Sequence, residues 1–163
     1  MATTTTFAAI RGTFLPLVRA ITPTKLANRT FEATPLKSKT LRAFAESAPT
    51  EDKLRKYDWR VDGDEAEPFI LDATAKEIDV GTIFTVAYPV LLGLYGTEDL
   101  YDLEDTMESD QRQIFKVFRN SANYVAGLSN AAVSVRPPDR ANERVWFAEF
   151  SIVLTYTAAG YIS

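Results

Sequence analysis

The residues best suited to chemistry in this chain are carboxylates, because it contains no histidine and no cysteine. The densest group is Asp62, Asp64, Glu65 and Glu67, which surround Gly63 in the stretch DGDEAEPF. This stretch resembles the start of a calcium-binding loop, but the full pattern, which closes with a bidentate glutamate, is missing. The pattern therefore favours a solvated hairpin loop over a metal site.

The composition excludes several classes of chemistry. Without histidine the chain cannot form a Ser-His-Asp or Cys-His arrangement, and it lacks the commonest metal ligand. Without cysteine it has no disulfide, no thiolate nucleophile and no thiolate-bound zinc or iron–sulfur site. A net charge of −4 argues against a dedicated nucleic-acid-binding protein. We therefore predict a protein that is not an enzyme and that needs no cofactor and no metal.

One further carboxylate, Asp110, stands out because it falls on the apolar line of a predicted helix over residues 97–120. The helix is acidic in its first half and basic in its second half, which complements the helix dipole. A carboxylate on an apolar line needs a hydrogen-bonding or charged partner, or exposure at a subunit contact. We expect a structural ion pair rather than a catalytic group, because the sequence places no second acid or base nearby.

The stretch LRKYDWRVD, residues 54–62, alternates like a half-buried strand. Arg55 stands on the same face as Tyr57 and Trp59, whereas Arg60 stands on the opposite, charged face. This pattern predicts that one face of the strand lies on the core.

The apolar stretch 83–95 also alternates and predicts a second strand. It is too short to cross a bilayer as a helix, which takes about 20 residues, so we predict no membrane span. Pro89 cannot donate to a β-ladder and predicts an edge strand or a bulge.

The chain ends in a predicted β-hairpin over residues 131–157. In its second strand the alternate residues from Trp146 to Tyr156 predict a face on the core. The opposite face, which carries Phe147 and Glu149, is neither uniformly apolar nor uniformly polar. We expect another subunit or element to cover part of it.

The N-terminal segment allows two interpretations. Apolar residues at helical spacing from Phe7 to Ile21 predict a core-packing helix, which the preceding threonines can cap. Pro16 predicts a kink or a boundary within it. The first 50 residues are also basic, rich in threonine and alanine and poor in acid, which is typical of an organelle transit peptide. The regular apolar stripe favours the core-packing helix.

Together these patterns predict a single α+β domain over residues 1–163. An antiparallel or mixed β-sheet is expected, flanked by an N-terminal helix and a second, acidic helix, and ending in a β-hairpin. The predicted segments are the N-terminal helix 1–24, the strands with their acidic loop 54–95, the helix 97–120 and the terminal hairpin 131–157.

This layout resembles the tail terminator, or tail-completion, proteins that close the tail tube in the neck of tailed bacteriophages. The helix around Asp110, with its ESDQRQIF context, is typical of that family. The stretches that carry the resemblance are FAAIRGTFLPLVRAI, KYDWRV, DGDEAEPF, LYDLEDTMESDQRQIFKVF and WFAEFSIVLTYT. They extend over most of the chain, from about Phe7 to Tyr156.

The resemblance implies a structural virion protein that forms a ring, usually a homo-hexamer, between the tail tube protein and the head-completion or connector protein. DNA would pass through the ring without specific binding. The residues that it makes candidates for subunit contacts are Arg55, Arg60, Phe147, Glu149 and Asp110. The candidates for a lumen that repels DNA are Asp62, Asp64, Glu65 and Glu67.

Two alternatives remain at this stage. The first is a small organelle protein, for example of a plastid, whose transit peptide ends near LRAFAES. The second is a small-molecule enzyme that works without histidine. The fate of residues 1–45 separates the first alternative from the virion protein, because an imported protein loses them.

Overall fold

The computed structural model describes residues 3–25, 30–33, 54–62, 73–90, 100–140 and 145–160. Within these ranges, two α-helices and five strands follow one another in the order α1 (Phe7–Arg19), β1 (Thr30–Ala33), β2 (Leu54–Val61), β3 (Lys76–Pro89), α2 (Leu100–Arg119), β4 (Leu128–Val135) and β5 (Val145–Ala158). A short 3-10 helix, Ser121–Asn123, connects α2 to β4. The chain therefore has the predicted α+β architecture.

The five strands form one mixed sheet in the order β1-β2-β3-β5-β4. Strands β1 and β2 are parallel, and the other neighbouring pairs are antiparallel. Strands β3 and β5 pair along their full length, from Lys76 opposite Ala158 to Pro89 opposite Val145. The predicted terminal hairpin is confirmed, and its second strand lies inside the sheet.

The prediction of an edge strand or bulge at Pro89 is wrong, because β3 is the central strand of the sheet. The register with β2 reaches only Ala87, so Pro89 pairs with β5 alone, opposite Val145. Pro89 is also the last residue of the strand. A proline there removes no hydrogen bond from the ladder with β2, which explains why the central position tolerates it.

The sheet has an inner face, which packs against both helices, and an outer face. The predicted alternation of β2 and β5 is confirmed, since inner-face side chains are almost fully buried. They include Arg55, Tyr57, Trp59, Phe84, Val86, Tyr88, Phe150, Ile152, Leu154 and Tyr156. The helices add Phe7, Ile10, Phe14, Val18, Leu103, Met107, Ile114 and Phe118. One apolar core therefore joins α1, α2 and the sheet.

Aromatic side chains occupy the centre of this core. The ring of Trp59 lies 5.1 Å from that of Phe7 and 5.0 Å from that of Phe118, measured between centroids. Its indole Nε1 donates to the hydroxyl of Thr82 at 2.8 Å, and that hydroxyl donates to the carbonyl of Ile152 at 2.7 Å. The polar atom of a fully buried tryptophan is thereby hydrogen-bonded.

Helix α1 begins as predicted, with Thr6 as its N-cap; the threonine hydroxyl accepts from the amide of Ala9. Of the kink or boundary predicted at Pro16, the boundary is wrong, because the helix continues to Arg19. Proline removes the hydrogen bond to the carbonyl four residues earlier, which here belongs to Gly12. Pro16 and Gly12 are both exposed, so water can reach that carbonyl.

The N-terminal threonines pack against the end of the sheet. The amide of Thr5 donates to the carbonyl of Thr157 at 2.9 Å, and the amide of Thr157 donates to that of Gly127 at 3.0 Å. Gly127 has a φ of 97°, and a Cβ there would lie 3.1 Å from the carbonyl oxygen of Thr3. Only glycine fits this close approach without strain.

Helix α2 confirms the predicted acidic helix from Leu100 onward; the preceding residues 91–99 lie outside the described residues. Its buried line runs through Leu103, Met107, Asp110 and Ile114. Leu100, one turn before Leu103, is exposed because it stands at the first turn of the helix.

Candidate subunit interface

Two of the predicted contact residues, Arg55 and Asp110, meet inside the chain. One guanidinium nitrogen of Arg55 forms an ion pair with Asp110 Oδ1, and another donates to the carbonyl of Ile21 at 2.9 Å. The hydroxyl of Tyr88 donates to Asp110 Oδ2 at 3.0 Å. The guanidinium carbon lies 3.6 Å from the centroid of the Phe31 ring. The predicted structural ion pair of Asp110 is confirmed, with Arg55 as its partner.

This buried cluster links five parts of the fold. It joins β1, β2, β3 and α2 to the segment that follows α1. Burial raises the pKa of the Asp110 carboxyl above its ordinary value, and the charge of Arg55 with the two hydrogen bonds offsets only part of that shift. Burial and the neighbouring carboxylate raise the pKa of Tyr88 well above its ordinary value, so its hydroxyl keeps its proton and donates.

The placement of Arg55 and Asp110 at a subunit contact is therefore corrected. Both residues are 0% exposed, so another subunit cannot reach their side chains in the folded chain. The physical reason was present in the alternation of β2, which puts Arg55 on the inner face. The cluster stabilises the domain and leaves no charged atom open to a substrate.

The other predicted contact residues, Arg60, Phe147 and Glu149, lie on the outer face, which has a covered half and an open half. In the covered half Lys56, Ala87 and Phe147 form one row across β2, β3 and β5, and all three are buried. Phe147 is only 5% exposed, and its backbone exchanges hydrogen bonds with Asp139 at 2.9 Å. Its expected place at a subunit contact is therefore corrected as well.

The open half of the outer face consists of two neighbouring rows across four strands. One row is Arg60, Ile83, Ser151 and Ser134; the other is Asp62, Gly81, Val153 and Ala132. Val153 is 40% exposed, because its neighbour on β3 is a glycine. The open half therefore presents an apolar residue between polar and charged neighbours, as protein contact surfaces do.

Glu149 lies at the border of the two halves. Its carboxylate forms an ion pair with Arg136, and its carbonyl accepts from the Arg136 amide at 3.0 Å. The carboxylate side is largely shielded, whereas the arginine side chain is exposed. The pair extends the hairpin beyond β4.

Of the predicted lumen residues, only Asp62 belongs to the part of the chain that the structure describes. Asp62 is exposed at the end of β2, and its amide donates to the carbonyl of Gly81 at 2.9 Å. It stands on the same face as Arg60, two residues away. Asp64, Glu65 and Glu67 lie outside the described residues.

A further exposed apolar surface lies between α2 and β4. The groove has a volume of about 470 Å³ and is lined by Glu108, Gln111, Arg112, Phe115, Lys116 and Val135. Phe115 is 38% and Val135 is 43% exposed. Neither residue was predicted as part of a site. The signal was the run Ile114, Phe115, Val117 and Phe118, which is wider than the stripe that one core contact needs.

The described ranges bring no group of three or more acidic side chains together in a way that could hold a metal ion. Neither α1 nor α2 is long and apolar enough to cross a membrane.

No family model matches the chain, and no curated protein is significantly similar to it.

Proposed function

We propose that this chain is a structural protein of a tailed-bacteriophage virion, a tail terminator that forms a ring in the neck. The ring, of six copies, joins the tail tube protein to the head-side connector or head-completion protein. DNA passes through it without specific binding, and no membrane or cofactor takes part. The observation that carries the proposal is the open half of the outer face, an exposed surface of mixed character that neighbouring subunits or rings would cover.

The packing of the N-terminal segment supports the virion protein over the imported one. Phe14 and Val18 of α1 are fully buried in the core, and Thr5 pairs with β5. Import would remove residues 1–45 and open the core at α1. A virion protein retains the segment, which agrees with its packing.

The outer face then has two roles in the assembled neck. Arg60 and Val153 contact a neighbouring subunit or ring, and Asp62 lies toward the lumen with the acidic residues that follow it. Negative charge along a channel wall reduces sticking of the DNA phosphates as they pass. Reversal of Asp62, Asp64, Glu65 and Glu67 to lysine should therefore slow DNA delivery; unchanged delivery would refute the lumen assignment.

The experiment that tests the proposal is light scattering of the full-length chain and two charge variants. Wild type should form rings, Arg60→Glu should reduce their fraction, and Lys25→Glu should not. Lys25 is an exposed residue after α1 and serves as the matched charge reversal. If both variants assemble equally well, the outer face is not part of the subunit contact. A folded monomer that keeps its stability after proteolytic loss of residues 1–45 would contradict the proposal and favour the imported protein.

A further inference from the structure

We infer that the groove between α2 and β4 binds the N-terminal end of α2 from a second copy of this chain, with Tyr101 as the inserted side chain. This contact would join neighbouring subunits of the proposed ring. Its head-to-tail arrangement rests on the proposed function. Two surfaces of the described chain carry the inference: an apolar groove whose rim has a net positive charge, and an exposed aromatic residue in an acidic helix end.

The groove offers apolar area and a net positive charge. Phe115 and Val135 form its apolar walls, and Gln111 also lines it. Its charged lining residues are Glu108, Arg112 and Lys116. Because Arg112 forms an ion pair with Glu108, Lys116 supplies the net positive charge of the rim.

The N-terminal end of α2 has the complementary properties. Tyr101 is 77% exposed and Leu100 is 41% exposed, a large apolar area for the first turn of a helix. Tyrosine is enriched at the centres of protein interfaces, where its ring packs and its hydroxyl hydrogen-bonds. The acidic residues that surround it on the first two turns are Asp102, Glu104 and Asp105, of which Glu104 is ion-paired with Arg140.

The inserted tyrosine has to come from a second copy, because Tyr101 of the same chain cannot reach the groove. Tyr101 and Phe115 are fourteen residues apart on one helix, which separates them by roughly 21 Å along the axis. The two surfaces are different and complementary in charge, so each copy can both donate Tyr101 and accept it. Contacts between two different surfaces, repeated by rotation, close rings. The charge pattern also disfavours a parallel, in-register helix pair, which would align acid with acid.

Cross-linking tests the contact directly, since the chain has no cysteine of its own. The variant Leu100→Cys with Lys116→Cys keeps Tyr101 and Phe115 and places one thiol on each surface. A short bis-maleimide cannot join the two within one chain, because sixteen residues of helix separate them by roughly 24 Å. The control pair combines Leu100→Cys with Lys25→Cys, and the same samples are imaged in negative stain.

The outcomes separate this contact from the ring itself. A ladder of covalent species up to six, absent from the control pair, is the expected result and supports both. A covalent dimer without higher species supports the contact but contradicts the ring. If the images show rings but no cross-links form, the proposed contact is wrong and the proposed ring is still supported. Monomers without cross-links overturn both.

Charge reversal gives a second, independent readout. Arg112→Glu with Lys116→Glu should weaken self-association by about tenfold or more, and so should Asp102→Lys with Asp105→Lys. A chain that carries all four changes should regain most of the wild-type affinity. All four positions lie at or near the surface, so the melting temperature should hardly change. If the chain with all four changes does not regain self-association, the proposed contact is wrong.

Discussion

Two arginine–carboxylate pairs in this molecule share their chemistry and differ in surroundings. The side chains of Arg55 and Asp110 are at most 1% exposed, whereas the side chain of Arg136, which pairs with Glu149, is 52% exposed. A buried charge that loses its partner cannot be hydrated, but an exposed charge can. The inner pair therefore stabilises the fold, whereas the outer pair should contribute little to it.

Removal of Asp110 should cause the largest loss of stability. Asp110→Ala leaves Arg55 buried without its counter-charge and Tyr88 without an acceptor, so unfolding free energy should fall by about 3–5 kcal/mol. Urea denaturation followed by circular dichroism measures the change. A loss below about 1 kcal/mol would show that Arg55 reaches water, which would refute the interior role of the pair.

The contact between the N-terminal threonines and Gly127 is the second interior link that can be tested. Gly127→Ala forces a Cβ onto a residue with φ of 97° and toward the backbone of Thr3, which should cost about 1–2 kcal/mol. Gly12→Ala is the matched control: it lies in an exposed helical turn with no atom near the added Cβ, and should stabilise by about 0.5–1 kcal/mol. Equal effects of the two substitutions would refute the close packing of the N-terminal segment.

The outer pair should respond weakly to the same kind of change. Glu149→Gln keeps the size of the side chain and removes its charge, so unfolding free energy should fall by no more than about 1 kcal/mol. Urea denaturation beside Asp110→Ala gives the contrast directly. A loss as large as that of Asp110→Ala would show that the outer pair is also structural.

The pH dependence of stability sharpens the contrast further. Burial raises the pKa of Asp110, so the folded state keeps this proton above the ordinary pKa of 3.8 that applies to the unfolded chain. Between the two pKa values the folded state binds more protons, and the contribution of Asp110 to stability falls as pH rises. The stability advantage of wild type over Asp110→Asn should therefore narrow through this window. An advantage that grows with pH would show that Arg55 lowers the pKa.

Local patterns in the sequence predict the helices and strands and show which face of each is buried. The alternation of β2 placed Arg55 on the core side, and the period of α2 placed Asp110 on the buried line. Each position needed a charged partner, but the pairing joins residues 55 positions apart in sequence. Local spacing cannot supply that distance, so the sequence predicts an ion pair for Asp110 without identifying Arg55 as its partner.

The wrong predictions share one physical cause, which is that neighbours in a sheet are set by the whole chain. The local sequence around Pro89 predicts an edge strand. However, β3 is the central strand, and the proline is its last residue. Phe147 was placed on the correct face, but its burial depends on how the rest of the fold covers that half. The groove between α2 and β4 was missed for the same reason, since its walls come from two distant elements.

Native mass spectrometry of the full-length protein, with negative-stain images of the same sample, tests the central claim most directly. The account predicts one dominant species of six 18.2 kDa chains with intact N-termini, seen as closed rings with a central hole. A monomer or a two-fold dimer at every protein concentration would contradict it.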